Sequence, residues 1–203
     1  MGRRGHAQRV SAEDAALTTA VARAQDGDEA AYTQVYRLIQ PGLLGYIRGI
    51  VGDGADDLAA AVWREIAREL PGFRGDGPGL RGWTASIARR HVLGHLRHHG
   101  TSPRSPGNSS APTAGCHGAH APPAATLSAG TAQALLARLP LSQAEAVLLH
   151  HAVCLDEPAV ARVMRRPRPV IRVLTRRGVN NLARMLNPND VTHDVARTLR
   201  ETG

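Results

Sequence analysis

The sequence predicts an all-α protein of two small helical domains joined by a flexible linker, the second a helix-turn-helix domain. Apolar residues make up 42% of the 203 residues, but only six are aromatic (two Trp, three Tyr, one Phe), which suits packed helices better than sheets. Apolar positions recur at helical spacing in both halves, and no segment shows the alternation of a strand. Between the halves, residues 100–130 are rich in Pro, Gly, Ser and Ala, and too poor in large apolar side chains to fold alone.

The first half begins with a predicted loose arm at residues 1–12, followed by a helix to about residue 24. Asp28 is placed to cap the next helix, because a carboxylate there can accept from the first free backbone N–H groups. Pro41 predicts the start of a further helix. The apolar positions of these two helices are Tyr32, Tyr36, Ile39, Leu43, Leu44 and Ile47.

The segment "VGDGADD" predicts a break, with Asp53 or Asp56 as the cap of a helix over residues 57–70. The apolar residues of that helix recur every four positions and are Leu58, Val62, Ile66 and Leu70. "PG" at 71–72 predicts its end. A glycine-rich loop then leads to Trp83, and a basic helix follows.

The second half fits four helices, at about residues 131–138, 142–152, 157–164 and 169–186. Asp156 and Pro158 predict the start of the third helix, and Pro169 that of the fourth. On the fourth helix the apolar side carries Ile171, Leu174, Gly178, Leu182 and Met185, while another side carries Arg172, Arg176 and Asn180. Helix, short turn "RRPRP" and helix indicate a helix-turn-helix, whose Arg and Asn suit guanine and adenine edges. An ordinary helical hairpin with a basic face is the alternative.

Charge points to a polyanionic partner. The formal net charge is +8, residues 77–144 contain no Asp or Glu, and residues 162–177 contain seven arginines and no acid. The helix after Trp83 adds a face suited to a phosphate backbone, with Ser86, Arg90, Leu93, Gly94 and Arg97 on one side. The alternative is a solvated basic surface on which Gly94 merely weakens the helix.

Several functional classes lack their signatures. No metalloprotease, nucleophile-elbow or phosphate-loop motif is present, so the sequence predicts no enzyme and no cofactor. Cys116, His117 and His120 offer a zinc ion three ligands at most, which keeps a zinc-dependent switch only as a less favoured alternative. Two cysteines are too few for a disulfide framework. No signal peptide or membrane span is predicted, which leaves a cytoplasmic protein as the expectation.

Two long segments resemble a known family. "AQDGDEAAYTQVYRLIQPGLLGYIRGIVGDGADDLAAAVWREIARELPGFRG" with "GWTASIARRHVLGHLR" resembles the second conserved region of bacterial sigma factors of the extracytoplasmic-function (ECF) branch. "ARLPLSQAEAVLLHHAVCLDEPAVARVM" through "RGVNNLARML" resembles their fourth region. The resemblance covers roughly residues 14–100 and 131–187. The tail, "DVTHDVARTLRE", resembles the endings of actinobacterial members.

The resemblance implies a subunit of RNA polymerase that selects promoters. Residues 13–99 would form a region 2-like domain that binds core polymerase and opens the −10 element. Residues 131–187 would form a region 4-like domain that reads the −35 element, and residues 188–203 a tail. The implied partners are core RNA polymerase, through the clamp of its β′ subunit and its β flap, and promoter DNA. An anti-sigma protein is left open as a further partner, and no membrane insertion is implied.

The resemblance and the residue patterns together assign two sets of site residues. The DNA-binding set is Arg81, Trp83, Arg90, Gly94, Arg97, Arg168, Arg172, Arg176 and Asn180. The core polymerase set is Asp57, Leu58, Ala61, Val62, Arg64, Glu65 and Arg68. The loop before Trp83 would hold an unstacked base, and Arg90 and Arg97 would grip the adjacent backbone.

Three short segments of the sequence depart from the family pattern. Ala60 and Ala61 stand where a Gln-Glu pair is common, and Gly94 replaces a common Asp. The helix-turn-helix turn carries "RRPRPV" in place of Gly and Ser. A DNA-binding regulator that acts without polymerase is therefore the main rival interpretation.

Overall fold

The computed structural model describes residues 2–99 and 129–186, which form eight α-helices and no strand within those ranges. The helices are α1 (Gly2–Gln25), α2 (Glu29–Val51), α3 (Ala55–Glu69), α4 (Gly77–His99), α5 (Ala129–Ala137), α6 (Leu141–His151), α7 (Glu157–Met164) and α8 (Arg168–Leu186). A 3-10 turn, Leu70–Gly72, follows α3. The predicted all-α class is confirmed. We call α1–α4 the first unit and α5–α8 the second unit.

The predicted termini and linker are only partly covered by the description. α1 begins at Gly2, so the segment predicted to be a loose arm is helical. Residues 100–128 and 187–203 lie outside the described residues. That excluded part contains most of the predicted linker, the predicted C-terminal tail, and Cys116, His117 and His120.

α2 runs through Pro41 without a break, so the prediction of a new helix at that position is wrong. Proline inside a helix removes one backbone hydrogen bond and costs about 3 kcal/mol or more. The helix nevertheless buries the same face on both sides of the proline, through Val35, Ile39, Leu43 and Ile47. Each such side chain contributes about 1.5–3 kcal/mol when buried, so their sum outweighs the cost at Pro41.

Two of the predicted helix caps are present and one is wrong. Asp28 caps α2, accepting from the Ala31 N–H at 3.0 Å, and this bond lowers the pKa of its carboxyl group. Asp156 caps α7 in the same way, through Ala159 at 2.8 Å. α3 instead starts from Gly54, whose φ of 81° lies in the left-handed region that favours glycine.

α4 begins earlier than the glycine-rich sequence predicts. The Asp76 carboxylate accepts from the Gly79 N–H at 2.8 Å, and Pro78 lies in the first turn, which together start the helix. A Cβ at Gly77 would collide with the carbonyl oxygen of Asp14 in α1, so glycine is required for this close approach. Trp83 therefore lies inside α4 and not at the end of a loop.

The second unit follows the predicted helix boundaries closely. α7 and α8 are joined by a three-residue turn at 165–167, and α8 packs against α6. Arg165 adopts the left-handed conformation (φ 53°, ψ 47°), and the Arg166 N–H donates to the Ala161 carbonyl oxygen at 3.0 Å. The arginine in this turn thus takes the conformation that usually favours glycine.

The two units pack against each other, with α6 on α2 and α7 on α4. Two glycines of α2 make this possible. A Cβ at Gly49 would lie 2.7 Å from Leu148 Cδ1, and one at Gly42 would lie 2.5 Å from the Ala152 carbonyl oxygen. The apolar cores of the units join into one cluster of buried residues. The two helical units that the sequence predicts are thus in direct apolar contact in this structure.

A buried carboxylate lies at the junction of the units. Glu145 of α6 is 3% exposed. Its Oε1 accepts from Arg89 Nε at 2.9 Å and from the Tyr46 hydroxyl at 3.2 Å, and its Oε2 accepts from Arg89 Nη2 at 3.3 Å. Burial, together with the negative charge of Glu145, raises the pKa of Tyr46 well above its usual range, so the phenol stays protonated as a donor. We call Tyr46, Arg89 and Glu145 the junction triad.

Replacing Glu145 with Ala is expected to lower the free energy of unfolding by about 3 kcal/mol, because it leaves the mostly buried Arg89 without its counter-charge. It should also loosen the packing of the units and increase the radius of gyration measured by small-angle scattering. The matched control is Asp56→Ala, which removes the exposed partner of Arg48 and should cost under about 1 kcal/mol. Equal losses in both variants, with an unchanged radius, would contradict the assigned role of the triad.

Candidate nucleic-acid and protein interfaces

The predicted recognition residues lie on the outer face of α8. Arg168, Arg172, Arg176 and Asn180 are all exposed, whereas Ile171 on the opposite face is buried. We call these four exposed residues the α8 row. Gly178 fixes how closely α8 approaches α6, because a Cβ there would lie 2.6 Å from Val147 Cγ2. Asn181 Nδ2 also donates to Gln143 Oε1 at 3.0 Å. The exposed polar face and the buried apolar face that the sequence predicts for α8 are therefore both present, and the α8 row is directed away from the core.

One member of the α8 row has an internal partner. Arg172 donates to Glu157 through Nε at 3.1 Å and Nη2 at 3.0 Å, a two-point contact that raises the pKa of the guanidinium. The Arg172 side chain is 74% exposed, so water screens this pair and its net stabilisation is small. Arg172 can therefore exchange Glu157 for an external acceptor at little cost.

Arg81 does not belong to an exposed DNA-binding surface. It is 4% exposed, and its Nε and Nη2 donate to Asp14 Oδ1 at 2.9 Å and Glu13 Oε2 at 3.3 Å. Nη1 donates to the Leu38 carbonyl oxygen at 3.4 Å. Arg81 thus holds α1 against α2 and α4. The sequence signal for the burial of Arg81 was the acidic pair at residues 13–14, which lies on the helix that covers this arginine.

Trp83 is half-buried and forms an aromatic pair with Phe73 across the short loop before α4. The ring centroids lie 5.2 Å apart at an interplanar angle of 42°. The sequence drew attention to Trp83 alone, and the pairing was missed because Phe73 is ten positions away. The exposed part of the tryptophan ring can still accept a stacked base.

The basic face of α4 is exposed but partly engaged. Ser86, Arg90 and Arg97 are exposed, and a Cβ added at Gly94 would meet nothing within 4 Å, so this face is open beside the helix. Arg90 contacts Glu65 of α3 through its guanidinium. Arg89, the preceding residue, turns to the other side and belongs to the junction triad.

The predicted polymerase-binding residues of α3 divide into two groups. Asp57, Arg64 and Arg68 are exposed, and Leu58, Ala61 and Glu65 are partly buried. Val62 is fully buried, so its assignment to a contact surface is wrong: it belongs to the apolar stripe that faces the core. Tyr36, which the sequence placed among the apolar positions of its helix, is 40% exposed. Its ring centroid lies 4.7 Å from that of Trp63.

Glu65 connects the α3 and α4 surfaces. Its Oε2 lies 2.5 Å from His91 Nε2, and its Oε1 contacts Arg90. Despite this acidic neighbour, burial lowers the pKa of His91 below its usual range, and the positive charges of Arg90 and Arg64 lower it further. At neutral pH the imidazole is therefore neutral, with Nε2–H donating to Glu65.

A comparison with protein families bears on the first unit. Residues 35–101 match the family model of Sigma-70 region 2. The match spans α2 from Val35 through α3 and α4, roughly a third of the chain. This part of the chain is therefore similar to region 2 of the sigma-70 factors. A search of curated proteins found no significant relative.

Two further findings concern the described residues alone. Residues 2–99 and 129–186 contain no cluster of three or more His, Cys, Asp or Glu side chains arranged to hold a metal ion. Among the helices of that same part of the chain, none is long and apolar enough to cross a membrane.

His91 is expected to titrate below its ordinary pKa of about 6.5 in the folded protein. The stability that its neutral form contributes is present above that ordinary value and is lost as the pH falls through the lower folded pKa. The measurement is an NMR titration of the His91 ring. Arg90→Gln should raise the pKa of His91, because it removes a positive neighbour, whereas Arg97→Gln should leave it unchanged. A wild-type pKa at or above 6.5 would contradict this account.

Proposed function

We propose that this protein is a sigma factor of the ECF type, a non-enzymatic subunit that joins core RNA polymerase and directs promoter-specific initiation. One observation carries the proposal: the segment that matches Sigma-70 region 2 is folded together with a second helical unit, in which α7, a short turn and α8 follow one another and α8 presents the α8 row. A sigma factor needs both a polymerase-binding unit and a second DNA reader, and this chain supplies candidates for each.

The exposed side of α3 is the proposed contact with the clamp of the β′ subunit. It offers the charges of Asp57, Arg64 and Arg68 on a helix whose other face is anchored in the core. A rigid helix with a charged outer face suits a protein interface, because its backbone loses little further freedom on binding. In the proposed complex the second unit contacts the β flap. An anti-sigma protein would compete for these same surfaces.

The proposed contacts with promoter DNA fall into two classes. The exposed part of Trp83, backed by Phe73, stacks on an unpaired base of the −10 element, and Arg90 and Arg97 contact the neighbouring phosphates. The α8 row enters the major groove of the −35 element. There Arg can donate two hydrogen bonds to guanine, and Asn can both donate to and accept from adenine. Arg81 is left out of this set because it is buried.

The test of the function as a whole is association with core polymerase, followed by run-off transcription from a pool of genomic promoters. We expect co-purification with core enzyme and transcripts from a subset of promoters. Duplex DNA binding without polymerase association would favour the stand-alone regulator instead.

Charge reversal on α3 is expected to weaken polymerase binding while leaving the fold intact. Arg64→Glu and Arg68→Glu each change an exposed side chain that makes no contact with the core. Affinity for core polymerase is measured directly, with circular dichroism as the check on folding. Arg37→Glu, an equal charge change at an exposed position of α2 outside both proposed contact surfaces, is the control. Unchanged affinity in both α3 variants would move the contact elsewhere.

The two basic faces should differ in how they affect sequence preference. Arg172→Ala and Arg176→Ala should each cost about 1–3 kcal/mol at one base pair of the −35 element and relax preference there. Arg90→Ala and Arg97→Ala should weaken promoter opening for all sequences and reduce its salt dependence. Binding to a panel of −35 variants and opening at several salt concentrations distinguish these effects. Unaltered −35 preference in both α8 variants would mean that another face of α8 enters the groove.

A further inference from the structure

A cleft of about 550 Å³ lies beside the turn that joins α7 and α8. Four arginines line it: Arg162 from α7, Arg165 and Arg166 from the turn, and Arg168 from the start of α8. Pro158 and Pro167 form part of its wall. We call these four side chains the turn arginines. In the sequence, this segment stands out as part of an arginine-rich stretch without acids and as a departure from the usual turn composition.

The turn arginines have no counter-charge inside the second unit as far as the structure describes it. All four are exposed, and none forms an ion pair with a described residue. The three acids of residues 129–186 are otherwise engaged: Glu145 in the junction triad, Asp156 as the cap of α7, and Glu157 with Arg172. Four positive charges thus surround one concave space, and their mutual repulsion favours an anion there.

The backbone holds this arrangement in place before any ligand arrives. Arg165 is fixed in the left-handed conformation, with its N–H bonded to the carbonyl oxygens of Ala161 and Arg162. Pro167 restricts the turn, and Pro169 restricts the first turn of α8. The positive end of the α8 dipole is directed to the same side as Arg168 and adds to the field. Little ordering of the backbone is therefore needed on binding.

We propose that the turn arginines form a binding site for phosphate groups. The planar guanidinium matches the oxygens of a phosphate and can donate to two of them at once. The site is distinct from the outer part of the α8 row, from Arg172 to Asn180, which suits base edges. The phosphates can come from a duplex backbone beside α8 or from a free oligophosphate. Only the first source rests on the proposed function.

The experiment compares two double variants of the full chain. Arg162→Gln/Arg166→Gln removes two of the turn arginines and spares Arg165, whose backbone is strained, and Arg168, which belongs to the α8 row. Arg138→Gln/Arg184→Gln removes the same charge from exposed positions elsewhere in the second unit. Calorimetric titration with sodium tripolyphosphate tests the free ligand. A salt series with a duplex of arbitrary sequence tests the backbone.

We expect the cleft variant to bind tripolyphosphate at least about tenfold more weakly, and the control less than about twofold more weakly. For the duplex, the slope of log affinity against log salt should become shallower by about 0.9 for each phosphate that the protein no longer neutralises, so by about 1.8 in the cleft variant. A change in the duplex arm alone identifies the backbone as the source, and a change in the tripolyphosphate arm alone identifies a free ligand.

The proposal is overturned if the cleft variant equals the control in both arms. Thermal unfolding is recorded for each variant, and Arg166→Gln alone replaces the double variant if the latter is unfolded. Neither arm contains polymerase. Failure to bind core enzyme would therefore count against the proposed function and leave the phosphate site standing.

Discussion

The packing of the two described units against each other depends on one buried carboxylate. Glu145 brings a negative charge from the second unit into contact with Arg89 and Tyr46 of the first, and almost no water reaches it. A charge in such a place is tolerated only when it is paired and hydrogen-bonded. Gly42 and Gly49 allow the helices to approach closely enough for that pairing. The position of α8 relative to α4 therefore depends on contacts buried between the two units, away from the exposed α8 row.

The distribution of acids determines which surfaces are available to a polyanion. In the first unit, acids pair with two of the arginines: Glu13 and Asp14 engage the buried Arg81, and Glu65 engages Arg90, which stays exposed. In the described part of the second unit, three acids face nine arginines. Among the described residues of the second unit, the excess positive charge consequently lies mostly on α8 and on the turn before it.

The sequence was sufficient to predict those features that are determined by residues close together along the chain. The caps at Asp28 and Asp156 and the sidedness of α8 depend on residues a few positions apart, and all were predicted. It was insufficient to predict features that depend on contacts between residues far apart along the chain. Pro41 indicated a break, but burial on both sides of it keeps α2 continuous. Arg81 looked like a DNA contact until its partners in α1 were known. Glu145, in "LSQAEAVLL", resembles any exposed helix residue, and its hydroxyl partner lies 99 positions away.

Gly178 determines how α8, and with it the α8 row, is seated on the second unit. Because α8 contacts Val147 and Gln143 at this position, a single added methyl group would push this part of the helix away from α6 and tilt it. The arginines on the far side of α8 would then move by more than the displacement at the contact. Substitutions on the buried side of α8 would thus reorient the exposed row without altering its residues, and under the proposed function they would change the preferred DNA sequence.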